Sequence, residues 1–213
     1  MNGGRSNNLR LDHPDIGHVF DALLECSQAL GKLDEMVHVA EEVFGADHYV
    51  VAEVLNDLAT CYLTNNQADR AESVLKRAMT NWEATVGSDN PRAAKALFNL
   101  ASVHYLHKRY QEAEDLLERI LAIDEREYGK AHPEVAADLN SLGNVYSGQQ
   151  RWTEAESCYK RCLAIREKAL GPRHHKVATV LGNLAGLYKQ LGRVEEAQSL
   201  EERRKAILAA ESN

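Results

Sequence analysis

Cys158 and Cys162, four residues apart, and the adjacent pair His174 and His175 have the residue types and spacing that could bind a metal. A four-residue spacing places both thiols on one face of a helix. A structural zinc site needs four ligands, however, and neither pair has further Cys or His residues beside it at ligand spacing. We therefore expect Cys162 to pack in a core, His174 to start a helix, and the protein to bind no metal or other cofactor.

The sequence also contains no motif that is typical of catalysis. A glycine-rich phosphate loop, a nucleophile elbow and an HExxH zinc motif are all missing. The 32 acidic residues alternate with 25 basic ones, as in "EAEDLLERI". This alternation is typical of solvated helix faces, where ion pairs are weak. The sequence therefore predicts that the protein is not an enzyme.

Composition and charge narrow the choice of partners and compartment. The net charge of -7 argues against nucleic acid, because contacts to phosphate need a basic surface. Apolar runs stay well below the roughly 18 residues that span a bilayer, which predicts no membrane insertion. Residues 1–10, "MNGGRSNNLR", lack the apolar segment of a secretory signal and are predicted to be a disordered leader. Without such a signal, we expect a cytoplasmic protein with four reduced cysteines.

The elements that would position any site recur with a period of 42 residues. The segments "HYVVAEVLNDLATCYL", "NPRAAKALFNLASVHYL", "HPEVAADLNSLGNVYS" and "HHKVATVLGNLAGLYK" are four copies, and "HPDIGHVFDALLECSQ" is a more divergent fifth. They begin at His13, His48, Asn90, His132 and His174. A glycine precedes each of the last four starts by three residues, at Gly45, Gly87, Gly129 and Gly171. A fixed period of this length indicates a repeat protein.

Each copy contains two helical patterns separated by a short polar break. Leucines three residues apart, a small residue and a tyrosine share one face of the first helix, as in Leu139, Leu142, Gly143 and Tyr146. The breaks are "TNNQ", "LHKR", "GQQR" and "QLGR", and an alanine follows in each second helix. We expect the boundary glycine to close three of these second helices in a left-handed C-cap conformation. Pro91 and Pro133 fit the first helical position.

The pattern Leu-x-x-Leu-small-x-x-Tyr, followed nine residues later by Ala, resembles the tetratricopeptide repeat (TPR). The 42-residue period, "HPEVAADLNSLGNVY" and "LAIREKALG" are similar to the kinesin light chain and nephrocystin-like type of this repeat. The resemblance implies an all-α fold, an α-solenoid of about five helical hairpins in a right-handed superhelix. It predicts a single array over residues 11–213 with a polar last helix near residues 194–209. The predicted repeats span residues 13–47, 48–89, 90–131, 132–173 and 174–213.

In this family the first helix of each hairpin lines a concave groove, so the resemblance also implies which residues contact a partner. Many of these positions carry asparagine, whose amide can both donate to and accept from a peptide main chain. Aromatic residues in the middle of the groove would receive an apolar anchor side chain. The predicted partner-binding residues are Asn56, Lys95, Phe98, Asn99, Tyr105, Asn140, Asn144, Asn183 and Lys189.

These features favour a non-catalytic adaptor or scaffold that binds a peptide or a partner protein. The alternative is a structural spacer, or a self-associating segment of a larger protein. Residues 11–50 contain nine acidic residues and one lysine, whereas residues 171–213 contain seven basic and five acidic residues. Ends of opposite charge favour a weak head-to-tail association between copies.

Overall fold

The computed structural model describes residues 30–85, 87 and 91–211 of the 213-residue chain. Within these ranges all regular secondary structure is α-helical. The chain divides into two compact units, Met1–Gly87 and Ser88–Asn213, called unit 1 and unit 2 below. The predicted leader and the first helix of repeat 13–47 lie outside the described residues.

Nine helices occupy the described ranges, three in unit 1 and six in unit 2. The helices of unit 1 are α1 (Leu30–Phe44), α2 (Tyr49–Thr64) and α3 (Ala68–Thr85). Those of unit 2 are α4 (Pro91–Leu106), α5 (Tyr110–Tyr128), α6 (Pro133–Gly148), α7 (Trp152–Leu170), α8 (His175–Gln190) and α9 (Val194–Glu211). The four predicted breaks all fall between the two helices of a hairpin, and the all-α repeat fold is confirmed.

Histidine starts three of the first helices, as predicted for His132 and His174. In His48, His132 and His174, the ring Nδ1 accepts a hydrogen bond from the backbone N–H two residues later, at 3.2, 3.3 and 3.1 Å. These bonds satisfy one of the amide groups that a helix start leaves without a partner. Pro133 follows at the first helical position, where its missing N–H costs nothing.

The prediction of a left-handed C-cap at the boundary glycines is wrong. The left-handed conformation occurs instead at the turn inside each hairpin. Gly129 and Gly171 combine a φ of 86° and 87° with a ψ of 154° and 155°, a region that only glycine populates readily. The left-handed residues are Asn66, Lys108, Gln150 and Gly192, with φ between 57° and 71°. The next N–H bonds back over five residues, for example from Arg151 to the Tyr146 carbonyl at 2.8 Å. This is the Schellman motif, and it ends the first helix of each hairpin.

Small residues let the two helices of a hairpin pack closely. A Cβ atom at Gly143 would lie 2.5 Å from Cε1 of Tyr159, so the tyrosine ring rests directly on the α6 backbone. Ala155 in α7 and Ala197 in α9 are at most 1% exposed, as their repeat positions predict. Cys162 is fully buried and fills the predicted core position, and His104 packs at the tyrosine position with 9% exposure.

Arginine–glutamate pairs connect the second helices of consecutive hairpins. Arg161 in α7 bonds Glu125 in α5 at 2.6 Å, and Arg203 in α9 bonds Glu167 in α7 at 2.5 Å. Both arginines also donate to a backbone carbonyl in the loop between hairpins, at Lys130 and Pro172. Within unit 1, Arg77 pairs with Glu41 in the same way.

A second set of arginines stands at the turn inside each hairpin. Arg151 makes two bonds to Glu114 of the preceding hairpin, at 2.7 and 2.8 Å, and its guanidinium lies 4.5 Å from the centre of the Tyr146 ring. Arg193 repeats this arrangement 42 residues later, with Glu156 and Tyr188. Packing and charge therefore both hold neighbouring hairpins in register.

Candidate functional site

The predicted groove residues of unit 2 lie on its three first helices, α4, α6 and α8. Because the period is 42, equivalent positions on these helices fall on the same face, which we call the inner face of unit 2. Its predicted members are Lys95, Phe98, Asn99 and Tyr105 on α4, Asn140 and Asn144 on α6, and Asn183 and Lys189 on α8. Asn56 belongs to unit 1, where it is only 6% exposed and has little surface to offer a partner.

The centre of the inner face is a hydrogen bond between two asparagines. Nδ2 of Asn183 donates to Oδ1 of Asn140 over 2.9 Å, and both side chains are half-buried. The bond joins α6 to α8 and fixes the orientation of both amides. Within the described residues, the two Nδ2 N–H donors of Asn140 and the Oδ1 acceptor of Asn183 have no side-chain partner. The pair therefore presents amide donors and a carbonyl acceptor in a fixed arrangement.

A third asparagine, Asn144, is oriented by a tyrosine from α7, the second helix of the same hairpin. The hydroxyl of Tyr159 donates to Oδ1 of Asn144 over 2.7 Å. Tyr159 is 3% exposed, and burial raises the pKa of its hydroxyl, which keeps the donor proton in place at neutral pH. The Nδ2 group of Asn144 thus points its two donors away from the tyrosine. This role of Tyr159 was not predicted, because it depends on which helix lies beside α6.

Aromatic side chains lie at the end of the inner face near the turn of the α4–α5 hairpin. The rings of Tyr105 and Tyr110 are 5.7 Å apart and tilted, and Tyr105 is 39% exposed. Tyr110 in turn packs against Gly148, where a Cβ atom would meet its ring at 2.7 Å. Tyr110 is not among the predicted groove residues, because it lies in the second helix of its hairpin and outside the positions that the resemblance implies.

The opposite end of the inner face, on α8 and α9, is charged. Arg204 bonds Glu201 at 2.8 Å, and its side chain covers the backbone of Gly182. Arg204, together with the nearby Lys189 and Lys205, holds the pKa of the Glu201 carboxyl below its ordinary value. Lys189 is exposed. Three cations therefore surround one carboxylate at the C-terminal edge of the face.

The cysteines that could have bound a metal or acted as nucleophiles are buried in the packed helices. Burial raises the pKa of the Cys158 and Cys162 thiols to about 11, so both are protonated at neutral pH. Across the described ranges, no group of three or more His, Cys, Asp or Glu side chains is placed to hold a metal.

Cys61 is disulfide-bonded, so the expectation of reduced thiols is wrong there. The predicted cytoplasmic location rested on the missing secretory signal and stays a prediction.

No helix in the part of the chain that the structure describes is both long and apolar enough to cross a membrane. The charge argument against nucleic acid stays a prediction, as does head-to-tail association.

Comparison with known proteins identifies the class of this fold. The tetratricopeptide repeat family matches three overlapping segments, residues 67–126, 92–168 and 134–210. These segments cover more than half of the chain, so the chain belongs to the TPR family. TPR folds generally serve as non-catalytic modules for protein–protein interaction, and this is the broad class of function.

Several solved structures, among them a kinesin light chain-like one, have a fold similar to that of this chain. A Podosopora anserina kinesin light chain-like protein of nearly identical TPR-like repeats has a TM-score of 0.76 and 24% identity, over 94% of this chain and 98% of that one. BtubC (BKLC) from P. vanneervenii has a TM-score of 0.81 and 21% identity, over 93% and 81%. The apo form of RapI has a TM-score of 0.77 and 15% identity, over 93% and 72%. These identities establish similarity of fold. A search of curated protein sequences finds no significant match.

Proposed function

We propose that the inner face of unit 2 binds an extended peptide segment of a partner protein. The observation that carries this proposal is the hydrogen bond between Asn183 and Asn140. It orients two amides so that a donor and an acceptor are available side by side, which is the pattern that a peptide main chain requires. Because the amides are already fixed, little side-chain entropy is lost when a peptide binds.

The two ends of the inner face add specificity to this main-chain recognition. Tyr105 and Tyr110 provide an aromatic surface that suits an apolar anchor side chain of the peptide. Lys189, beside Arg204 and Lys205, favours an acidic group at the other end. Fold similarity to kinesin light chain-like repeats supports an adaptor role, in which the peptide is part of another protein.

The test begins with peptides selected from a random display library on the purified full chain. Their affinities are then measured by isothermal titration calorimetry for the wild type and for the double variant Asn140→Ala with Asn183→Ala. Two lost hydrogen bonds of about 1 kcal/mol each correspond to a loss of affinity of about thirtyfold. Thr153→Ala, at an exposed position of α7, is the matched control and should change the affinity less than twofold, a difference of about 0.4 kcal/mol.

Circular dichroism distinguishes a lost contact from a lost fold. If the double variant keeps its helical signal and its affinity, the inner face is not the binding site. Equal loss in the Thr153 variant would also contradict the assignment. A set of selected peptides that shows no preference for an aromatic or apolar anchor would remove the role given to Tyr105 and Tyr110.

A further inference from the structure

Two buried carboxyl groups meet where α5 packs against α6 in unit 2. Asp124 on α5 is 8% exposed and Asp138 on α6 is 3% exposed, and their side chains are hydrogen-bonded to each other. An ionised carboxylate can only accept, so this bond requires that one of the two groups carries a proton. The Oδ2 atom of Asp138 is buried and has no hydrogen-bond partner within the described residues. Both carboxyl groups are therefore buried, and their contact is satisfied only when one of them carries a proton.

Most of the charges around this pair oppose a second ionisation, and His132 at the start of α6 is the exception. Within the described residues, the charged groups that act on Asp138 are Asp124 from α5 and Glu134 from the first turn of α6, and both are acidic. Asp124 also faces Glu127 on its own helix and His132 at the start of α6, in addition to Glu134. Burial is the largest cause that raises the pKa of Asp138, to about 8, and burial also raises the pKa of Asp124.

The next junction of unit 2 has different chemistry at the same two positions. Forty-two residues after Asp124 and Asp138 stand Arg166 and Val180, which belong to α7 and α8. Arg166 donates to the backbone carbonyl of Lys176 over 2.9 Å, and Val180 is fully buried. An arginine bonded to a carbonyl beside a valine does not titrate near neutral pH. Sensitivity to protons is therefore a property of the α5–α6 junction and does not follow from the repeat itself.

We propose that the α5–α6 junction is a proton-dependent latch, closed while Asp124 and Asp138 share a proton and loosened when both are ionised. Two buried like charges in contact repel each other and lose hydration, so the ionised junction opens more often. Because the folded protein binds this proton more tightly than the unfolded chain does, the stability of the junction falls as pH rises from the ordinary Asp value of 3.8 towards about 8.

The latch also bears on the inner face, because Asn140 follows Asp138 by two residues on α6. Loosening of α6 would disturb the hydrogen bond between Asn140 and Asn183. This consequence rests on the proposed function, whereas the latch itself does not. The test is therefore carried out on the protein without any peptide.

The first measurement is a carbon-13 NMR titration of the aspartate side chains in the wild-type protein. The latch predicts that a carboxyl group of the pair titrates with a midpoint between about pH 7 and 9, well above the ordinary aspartate range. Midpoints near 3.8 for both Asp124 and Asp138 would overturn the proposal. This measurement needs no variant, so it does not depend on whether a substitution folds.

The second measurement is hydrogen exchange of α5 and α6 at several pH values, corrected for the intrinsic exchange rate. Because opening releases one proton, the equilibrium constant for opening rises by up to about tenfold for each pH unit between the pKa values of the open and closed states. Asp138→Asn and Asp124→Asn each remove the shared proton and should abolish most of this dependence. Asp115→Asn, the same change at an exposed aspartate on α5 that does not act on the pair, is the matched control and should keep it. The same pH dependence in the wild type and in both aspartate variants would overturn the latch.

Discussion

Asn183 on α8 donates a 2.9 Å hydrogen bond to Asn140 on α6, 43 residues earlier in the chain. The separation is one repeat plus one residue, so the bond connects neighbouring positions on adjacent first helices. Both asparagines occupy positions that the resemblance assigns to the partner-binding groove. In the structure they hold two helices together and orient each other, so their polarity already has a role in packing.

Replacement of Gly143 by alanine should destabilise unit 2. The new Cβ atom would lie 2.5 Å from Cε1 of Tyr159, and the buried ring could move away only at the expense of its bond to Asn144. We expect the free energy of unfolding to fall by about 1–3 kcal/mol, as is typical of overpacking, measured by urea denaturation.

The matched control for Gly143 is Gly186→Ala on the next first helix. Apart from the nearby backbone of its own helix, no atom lies within 4 Å of a Cβ placed at Gly186, and the residue is exposed. Alanine favours a helix over glycine by about 1 kcal/mol, so this variant should gain stability. A gain at both positions would show that helix propensity, and not contact with Tyr159, decides the outcome.

Glycine at the left-handed turn positions should stabilise the hairpins. Lys108 and Gln150 have φ values of 58° and 62°, a conformation that costs L-residues roughly 1–2 kcal/mol. Because glycine also gains freedom in the unfolded chain, we expect Lys108→Gly and Gln150→Gly each to raise the free energy of unfolding by up to about 1 kcal/mol. Gly192→Ala, the reverse change at the same repeat position, should lower it, and thermal unfolding of the three variants checks the pattern.

The pair between Arg161 and Glu125 should show a modest, salt-dependent coupling. Arg161 is 37% exposed at its side chain, so water screens much of the attraction. A double-mutant cycle with Arg161→Met and Glu125→Gln should give a coupling of about 0.5–1 kcal/mol that decreases in high salt. Lys168→Met, at an exposed position on the same helix, is the control and should show no coupling to Glu125.

Acid should weaken the contact between the hairpins that Glu156 connects. Lys160, the Tyr188 hydroxyl and Arg193 lower the pKa of the Glu156 carboxyl to about 2. Since this folded-state pKa lies below the ordinary value of 4.5, the stabilisation is complete above about pH 4.5 and is lost as pH falls towards 2. Glu156→Gln should flatten the stability profile across that range, as denaturant unfolding at a series of pH values would show. An unchanged slope would contradict the assignment.

The fold was predictable because the signals for it are local and repeated. The histidine starts, the polar breaks and the Leu-Leu-small-Tyr pattern recur in register, so each copy supports the others. The conformation of the boundary glycines was predicted wrongly. Gly129 has the positive φ that the sequence suggested. Its ψ depends on the direction in which the next helix starts, and the residue type does not specify that direction.

The candidate site was predictable only at the level of helix faces. Position in the repeat identified Asn140, Asn144 and Asn183, but not their hydrogen bonds, which depend on the spacing between helices. Asp124 and Asp138 lie on helices with many solvated acids and are not distinguished from them in the sequence. Their burial becomes visible only when α5 and α6 are packed together.

The regular pairs between second helices have a consequence for changes in the length of the chain. Arg203 meets Glu167, and Arg161 meets Glu125, each one repeat back. In-frame deletion of residues 132–173 would bring Arg203 opposite Glu125, which has the same chemistry as the partner it lost. The junction would re-form, with Asp124 now facing Val180 in place of Asp138. An ancestral chain could thus gain or lose whole hairpins by recombination without new contacts having to evolve first.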